Sequence, residues 1–192
     1  MRLFILNSKD MKKSNQIRKH LEKGEVTNEM LGMAAFSYNK RAKNMRDQER
    51  EWRDYYRHNR YYKDTYGTVD KYMEKKEEYY RRKDECLAFA EPTALHIVER
   101  TRIMREWDAE RECYEAVDSV SFYEYYLLYT IGTYRFHHPI TQEEFSELKN
   151  RLPVEDIGNL DTEGEDIEEL MSVQTADKIR NGLKTGTYRL VA

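Results

Sequence analysis

One stretch of the sequence constrains the fold more than any other, an apolar stripe with alternating four- and three-residue spacing from Leu31 to Tyr66. This spacing keeps side chains on one face of an α-helix. Thr27 or Asn28 can cap the start of that helix, so we expect a long amphipathic helix that runs to Gly67. Eight of the eleven stripe positions are apolar or aromatic: Leu31, Ala35, Tyr38, Ala42, Met45, Glu49, Trp52, Tyr56, Asn59, Lys63 and Tyr66.

The residues after this stripe predict that the chain turns back on itself. A bend at Gly67-Thr68 precedes a second apolar series between Val69 and Ala90, which indicates a helical hairpin. Pro92 suits the first turn of a third helix. The apolar positions of that helix are Leu95, Val98, Met104, Trp107, Tyr114 and Val117. We therefore expect a mainly α protein, with a long Tyr/Arg-rich helical hairpin and a smaller C-terminal helical part.

The remaining segments carry weaker signals. Ser119–Phe136 is the most apolar and aromatic stretch and the expected core, although helix and strand both remain open there. Thr141 with Glu144 forms a capping box for a short helix to Leu152. Other expected elements are a helix over 8–23 that ends at Gly24, a last helix from about 166 to Gly186, and strands at 3–6 and 187–191 whose pairing would join the two termini.

These elements divide the sequence into four segments. They are an N-terminal strand and helix (1–26), the helical hairpin (27–91), an aromatic-rich core segment (92–152), and an acidic linker with a helix and strand (153–192).

Charge is strongly segregated along the chain, although the total is only −3. Residues 1–63 hold 16 basic and 8 acidic residues, a net charge of +8, whereas residues 141–177 hold 2 basic and 12 acidic residues, a net charge of −10. The near-neutral total therefore hides a basic front and an acidic rear, and this asymmetry is the most informative feature of the sequence.

The basic part contains an ordered row of cations that we call the Arg stripe. Its spacing of three and four residues places the cations on a helix face different from the apolar stripe. Such a row suits phosphates, because Arg binds their oxygens in pairs, and a nearby Tyr could stack on a base. Ion pairs on a solvated helix surface, or an acidic protein partner, are the alternatives. The Arg stripe consists of Lys43, Arg46, Arg50, Arg53, Arg57 and Arg60, and these residues together with Tyr61 are the candidate partner-binding residues.

A second candidate surface is acidic and lies near the C-terminus. It could imitate a phosphate backbone and occupy a basic groove on another protein, or it could be an ordinary linker and helix start. Its residues are Glu155, Asp156, Asp161, Glu163, Glu165 and Asp166.

Catalytic and metal-binding patterns are not found in the sequence. It has no Gly-rich phosphate loop, HExxH or GxSxG pattern, and Cys86 and Cys113 have no CxxC or CxxH neighbour. We therefore expect no catalytic residues, no metal site and no cofactor. The two cysteines favour a cytoplasmic protein, and no apolar run is long enough to cross a membrane.

Two segments resemble known protein classes. KRAKNMRDQEREWRDYYRHNRYY at 40–62 resembles Arg/Tyr-rich helical segments in small accessory proteins of phages and mobile elements, among them anti-CRISPR proteins. This resemblance implies a non-catalytic inhibitor that contacts a host nucleoprotein in the host cytoplasm. ADKIRNGLKTGTYRL near the C-terminus is similar to a short stretch of flagellar anti-sigma factors, although a helix that ends at Gly explains this likeness equally well.

The sequence therefore predicts a non-enzymatic binding or inhibitor protein that modulates a nucleic-acid-handling complex. The Arg stripe would contact nucleic acid or an acidic surface, and the acidic segment would contact a basic one. Direct nucleic-acid binding and structural helical self-assembly are the two alternatives. A protein partner is expected, a homo-oligomer remains open, and no membrane is expected.

Overall fold

A computed structural model describes residues 8–58, 65–155 and 170–191. Within these ranges, helices and strands are both extensive. In chain order they are α1 (Ser8–Glu22), β1 (Glu25–Thr27), α2 (Asn28–His58), α3 (Thr65–Leu87), β2 (Ala94–Asp108), β3 (Cys113–Ile131), β4 (Tyr134–Ile140), α4 (Gln142–Leu148), α5 (Val173–Lys184) and β5 (Arg189–Val191). The fold is therefore α+β, and the prediction of a mainly α protein is wrong.

The described residues form two compact units. The first, the helical unit, takes its described residues from Met1–Glu91, Ile131–Tyr134 and Glu163–Ala192; the second, the sheet unit, takes them from Pro92–Thr130 and Arg135–Thr162. None of the helices in the described ranges has the length and apolar character that crossing a membrane requires.

The start of the helical unit follows the sequence prediction closely. α1 confirms the expected N-terminal helix, and Gly24 follows it with a φ of +71°, in the left-handed region that favours glycine. The backbone N–H of Met30 donates to the hydroxyl of Thr27 at 3.2 Å, so this side chain caps the start of α2.

The core of the helical unit is formed by α2, α3 and α5. The first part of the predicted apolar stripe is confirmed as its centre, because Leu31, Ala35, Tyr38 and Ala42 are all fully buried. α3 contributes Val69, Cys86 and Leu87, and α5 contributes Ala176, Ile179 and Leu183. The three helices therefore bury the first part of the stripe.

The predicted bend at Gly67 is wrong. α2 ends at His58 and α3 already begins at Thr65, so Gly67 lies inside a helix. A glycine in the first turn of a helix leaves the helical backbone hydrogen bonds intact. Its only cost is a helix propensity lower than that of Ala. The segment between the two helices lies outside the described residues.

The predicted third helix is also wrong, since these residues form the two-stranded antiparallel ribbon β2–β3. The register runs from Ala94↔Leu128 to Asp108↔Cys113, with an irregularity after Met104. At the far turn, the Asp108 carboxylate accepts the backbone N–H groups of Glu110 and Arg111. The β-branched and aromatic residues of both strands favour this pairing over a helix.

Ser119–Phe136, left open between helix and strand, is strand in β3 and β4 with a tight turn between them. The expectation that this stretch forms the core holds only at its C-terminal end. Leu128, Ile131, Tyr134 and Phe136 are buried, whereas most of β3 before them is exposed. The physical reason is that β4 has only seven residues and borders a small part of the nineteen-residue β3.

The C-terminal elements are confirmed in type but not in length. The capping box of α4 is present in full, because the Glu144 N–H donates to the Thr141 hydroxyl and the Thr141 N–H donates to the Glu144 carboxylate. α4 ends at Leu148 and α5 begins only at Val173, after the cap Ser172.

The C-terminal strand has a different partner from the one considered. β5 pairs in parallel with β1, with Val26 opposite Leu190. The proposed partner over 3–6 lies outside the described residues.

Candidate phosphate-binding cleft on the helical unit

The exposed face of α2 carries four of the predicted Arg side chains in one row. Arg46, Arg50, Arg53 and Arg57 are all exposed. One helical turn advances about 5.4 Å, so neighbouring guanidinium groups have the spacing that successive phosphates of a nucleic-acid strand can match.

A buried carboxylate lies at the centre of this row and connects it to the second helix. The Glu49 side chain is only 11% exposed. One of its oxygens accepts a hydrogen bond from Lys76 Nζ of α3 at 2.6 Å, and the other accepts one from Arg53 Nε at 3.0 Å. The hydrogen bond from Lys76, followed by that from Arg53, holds the pKa of Glu49 below its usual value. Glu49 therefore stays ionised and ties α2 to α3.

Together these residues line an open cleft of about 430 Å³ between α2 and α3. Its lining contains five cations and two carboxylates: Arg46, Arg50, Arg53, Arg57, Lys76, Glu49 and Asp54. The cleft therefore carries a net charge of +3. Several guanidinium groups around one concave surface can bind an oxyanion by paired N–H donors.

Local ion pairs occupy part of the Arg stripe but leave it accessible. Arg46 lies 3.5 Å from Asp47, and Arg57 lies 3.7 Å from Asp54, with the two Arg side chains 47% and 76% exposed. Exposed pairs of this kind contribute little stability, so a phosphate can compete for the same guanidinium groups. Arg50 has no ion-pair partner within the described ranges.

The other predicted partner-binding residues do not line this cleft. Lys43 is half-buried on α2 and already has an interaction partner, while Arg60 and Tyr61 lie outside the described residues. Glu155 is exposed in the sheet unit, where its backbone N–H donates to the Leu95 carbonyl. The acidic residues Asp156, Asp161, Glu163, Glu165 and Asp166 lie outside the described residues.

Lys76 and the burial of Glu49 were not predicted from the sequence. The pair of Glu49 with Arg53, four residues later, is one of the ion pairs that the solvated-surface alternative predicts, and it is present at 2.9 Å. The burial of Glu49 was signalled only by its place in the apolar stripe. Lys76 comes from the next helix, 27 residues further along the chain, and no local pattern distinguishes it from neighbouring lysines.

A second polar cluster, also missed, lies inside the helical unit. The Tyr38 hydroxyl donates to Asp177 Oδ1 at 2.7 Å, and Arg82 donates to both oxygens of the same carboxylate at 3.1 Å. Arg180 of α5 donates to Glu85 of α3 at 3.0 Å. These contacts join α2, α3 and α5, so the cluster holds α5 in place.

The titratable groups of this cluster are suited to structure rather than to chemistry. Burial, followed by the hydrogen bond to Asp177, raises the pKa of Tyr38 far above its usual value. Burial also raises the pKa of the neighbouring Cys86 thiol to about 12. Both groups therefore keep their protons near neutral pH. Across the described residues, no group of three or more His, Cys, Asp or Glu side chains could hold a metal ion.

Comparison of this chain with protein-family models, with curated proteins and with solved structures finds no match.

Proposed function

We propose that this chain is a non-enzymatic binding protein that acts on a nucleic-acid-handling complex by binding phosphate groups in the α2–α3 cleft. The supporting observation is the combination of the row Arg46, Arg50, Arg53 and Arg57 with Lys76 around one concave surface. Phosphate oxygens would replace the exposed partners Asp47 and Asp54 on the guanidinium groups.

Several properties of the cleft support phosphodiester groups over a carboxylate-bearing protein. The guanidinium row follows a helix for more than three turns, which matches a repeating anion better than isolated acidic side chains. The net charge of +3 in this lining attracts any anion, and a dense polyanion gains more from it than a single carboxylate does. Inhibition of the complex is the role that the resemblance of residues 40–62 implies.

A cytoplasmic location is part of the same proposal. Cys86 and Cys113 are both free thiols, one buried and one exposed. Free thiols are typical of a reducing compartment such as the cytoplasm.

The test compares two fourfold variants with the same change in charge. The first replaces Arg46, Arg50, Arg53 and Arg57 with Gln. The control replaces Lys13, Arg18, Lys19 and Lys23 with Gln; all four are exposed and lie on or just after α1. Binding to a fluorescently labelled DNA duplex and a labelled RNA strand is measured by anisotropy.

The cleft variant is expected to weaken binding by at least about tenfold, while the control loses much less. Equal losses in both variants would reject the cleft and leave only a general effect of net charge. A pull-down from host extract, with and without nuclease, then separates two kinds of partner. Capture that depends on intact nucleic acid supports the proposal, and capture by the cleft that survives nuclease points instead to an acidic protein.

A further inference from the structure

Within the described residues, the sheet unit has a long ribbon with exposed apolar side chains. Beyond the part of β3 that pairs with β4, large side chains on both strands are exposed, with Trp107 at 54% and Tyr114 at 66%. A two-stranded ribbon without further cover is only marginally stable in water. The exposed residues are Ile97, Ile103, Met104, Trp107, Tyr114, Val117, Val120, Phe122 and Tyr123.

Within the described residues, the outer edge of β2 is unpaired along most of its length. β2 is the terminal strand of the described sheet, and among the described residues only Leu95 at its start bonds outward, to Pro153 and Glu155. Because backbone groups alternate in direction along a strand, the N–H and C=O groups of Ile97, Glu99, Thr101 and the later odd-numbered residues also point to this edge. Such an edge is a template for another strand.

The charges on this edge are arranged so that the edge is complementary to itself. On the face of the even-numbered residues, the first half carries Arg100 and Arg102 and the second half carries Glu106 and Asp108, while Glu99 and Arg105 lie on the other face. An antiparallel neighbour with the same sequence would place each basic half against an acidic half. We infer that β2 pairs with β2 of a second copy of this chain, with Met104 opposite Met104.

This register is the only one that places all four charges against opposite charges. It sets Arg100 opposite Asp108 and Arg102 opposite Glu106, each pair occurring twice across the two-fold axis. In a symmetric antiparallel pair, residues opposite each other have their side chains on the same face, so the two-fold axis must pass through a residue. Alternative registers therefore move the axis from one residue to the next. An axis at Ile103 loses the pairs of Arg102, and an axis at Arg102 or Arg105 places like charges opposite each other.

Four charged residues of β2 have no ion-pair partner within the described ranges: Glu99, Arg102, Arg105 and Glu106. Arg102 and Glu106 are separated by four residues of extended strand, roughly 13 Å. Glu106 even lies opposite Glu115 in its own ribbon, an unfavourable cross-strand pair. Arg102 of a second copy would compensate that repulsion.

The ribbon does not suit nucleic acid. Residues 97–124 hold four basic and eight acidic residues, a net charge of −4, which repels phosphate. Pairing of two copies also sets the two exposed Met104 side chains opposite each other, which removes apolar surface that nothing described in the single chain covers.

The test exchanges the charges of Arg102 and Glu106, because neither residue takes part in another described ion pair of the ribbon. In the 192-residue chain, Arg102→Glu and Glu106→Arg each place like charges opposite each other twice, whereas the double variant restores attraction. We expect a dimer for the natural chain in sedimentation and light scattering. Each single variant should weaken it by about tenfold, and the double variant should return to near the natural affinity.

A cross-linking experiment tests the register independently. In a Cys113→Ser background, Met104→Cys is expected to form a disulfide-linked dimer under mild oxidation, because only this residue meets its own copy. Ile103→Cys and Arg102→Cys are the controls and should cross-link much less. A natural chain that stays monomeric at high micromolar concentration, a double variant as weak as the single ones, or equal cross-linking at all three positions would overturn the inference.

Discussion

Replacing Glu49 with Gln should weaken folding and strengthen phosphate binding at the same time. In the folded protein the carboxylate accepts hydrogen bonds from Lys76 at 2.6 Å and from Arg53 at 3.0 Å. Hydrogen bonds to charged groups contribute about 1.5–3 kcal/mol each. The loss is smaller than both hydrogen bonds together, because the Gln amide oxygen still accepts one hydrogen bond. The half-exposed guanidinium of Arg53 can also form hydrogen bonds with water instead. We therefore expect the free energy of unfolding to fall by about 1–2 kcal/mol.

The same substitution removes a negative charge from the cleft lining. The net charge of the cleft rises from +3 to +4, and Lys76 becomes available to a ligand. One additional unit charge about 5 Å from a phosphate in high dielectric is worth about 0.8 kcal/mol, so phosphate affinity should rise about fourfold. Glu51→Gln is the matched control, because Glu51 is exposed on the same helix and its neighbour Gln48 is uncharged.

Urea unfolding over a range of pH checks the stability half of this prediction. Since the pKa of Glu49 is lower in the folded state, its stabilisation is complete above the unfolded value of about 4.3. It is lost as the pH falls through the lower folded value. The difference between the natural chain and Glu49→Gln should therefore shrink in acid. Equal stability at pH 7, or phosphate binding no tighter than for Glu51→Gln, would refute the assigned role.

Three further predictions concern packing and capping, each measured by urea or thermal unfolding with circular dichroism. Gly32→Ala should destabilise the helical unit by about 1–3 kcal/mol, because its Cβ would lie 2.5 Å from a backbone carbonyl of β3. Gly67→Ala, whose Cβ meets nothing within 4 Å, should instead be neutral or stabilise by about 0.5 kcal/mol; equal loss at both glycines would contradict this packing. Tyr38→Phe should cost about 1.5–3 kcal/mol by removing a donor to a carboxylate of α5, and an unchanged midpoint would argue against that bond. Thr141→Ala should cost about 1 kcal/mol with loss of the α4 cap, whereas Thr141→Ser should retain most of the stability.

The parts of the fold that were predictable are those with local causes. Leu31, Ala35, Tyr38 and Ala42 form the centre of the helical core, because their spacing alone selects one face of a helix. The capping box of α4 depends on residues three apart, and it is present in full. Such signals act within one or two turns and do not need the rest of the chain.

The ribbon was assigned wrongly because two sets of preferences compete in the same residues. Arg105, Glu106 and the charged residues of the turn are good helix formers, and they masked the strand preference of Ile97, Thr101 and Ile103. Cross-strand pairing decides the outcome, and that pairing involves residues of β3 that are distant in sequence.

The candidate cleft was predictable to a similar extent. The row Arg46, Arg50, Arg53 and Arg57 follows from helical spacing, and all four line the cleft. Lys76 and the buried state of Glu49 depend on how α3 packs against α2, which no local pattern encodes.

The most direct measurement of the central claim is the salt dependence of binding to a DNA duplex. If the cleft binds phosphates, the logarithm of the affinity should fall linearly with the logarithm of the salt concentration, with a slope of about −0.9 for each phosphate contacted. Replacing Arg46, Arg50, Arg53 and Arg57 with Gln should make that slope distinctly shallower, while the fourfold α1 variant keeps it. An affinity that does not respond to salt, or the same slope in the natural chain and in the cleft variant, would contradict phosphate binding at this site.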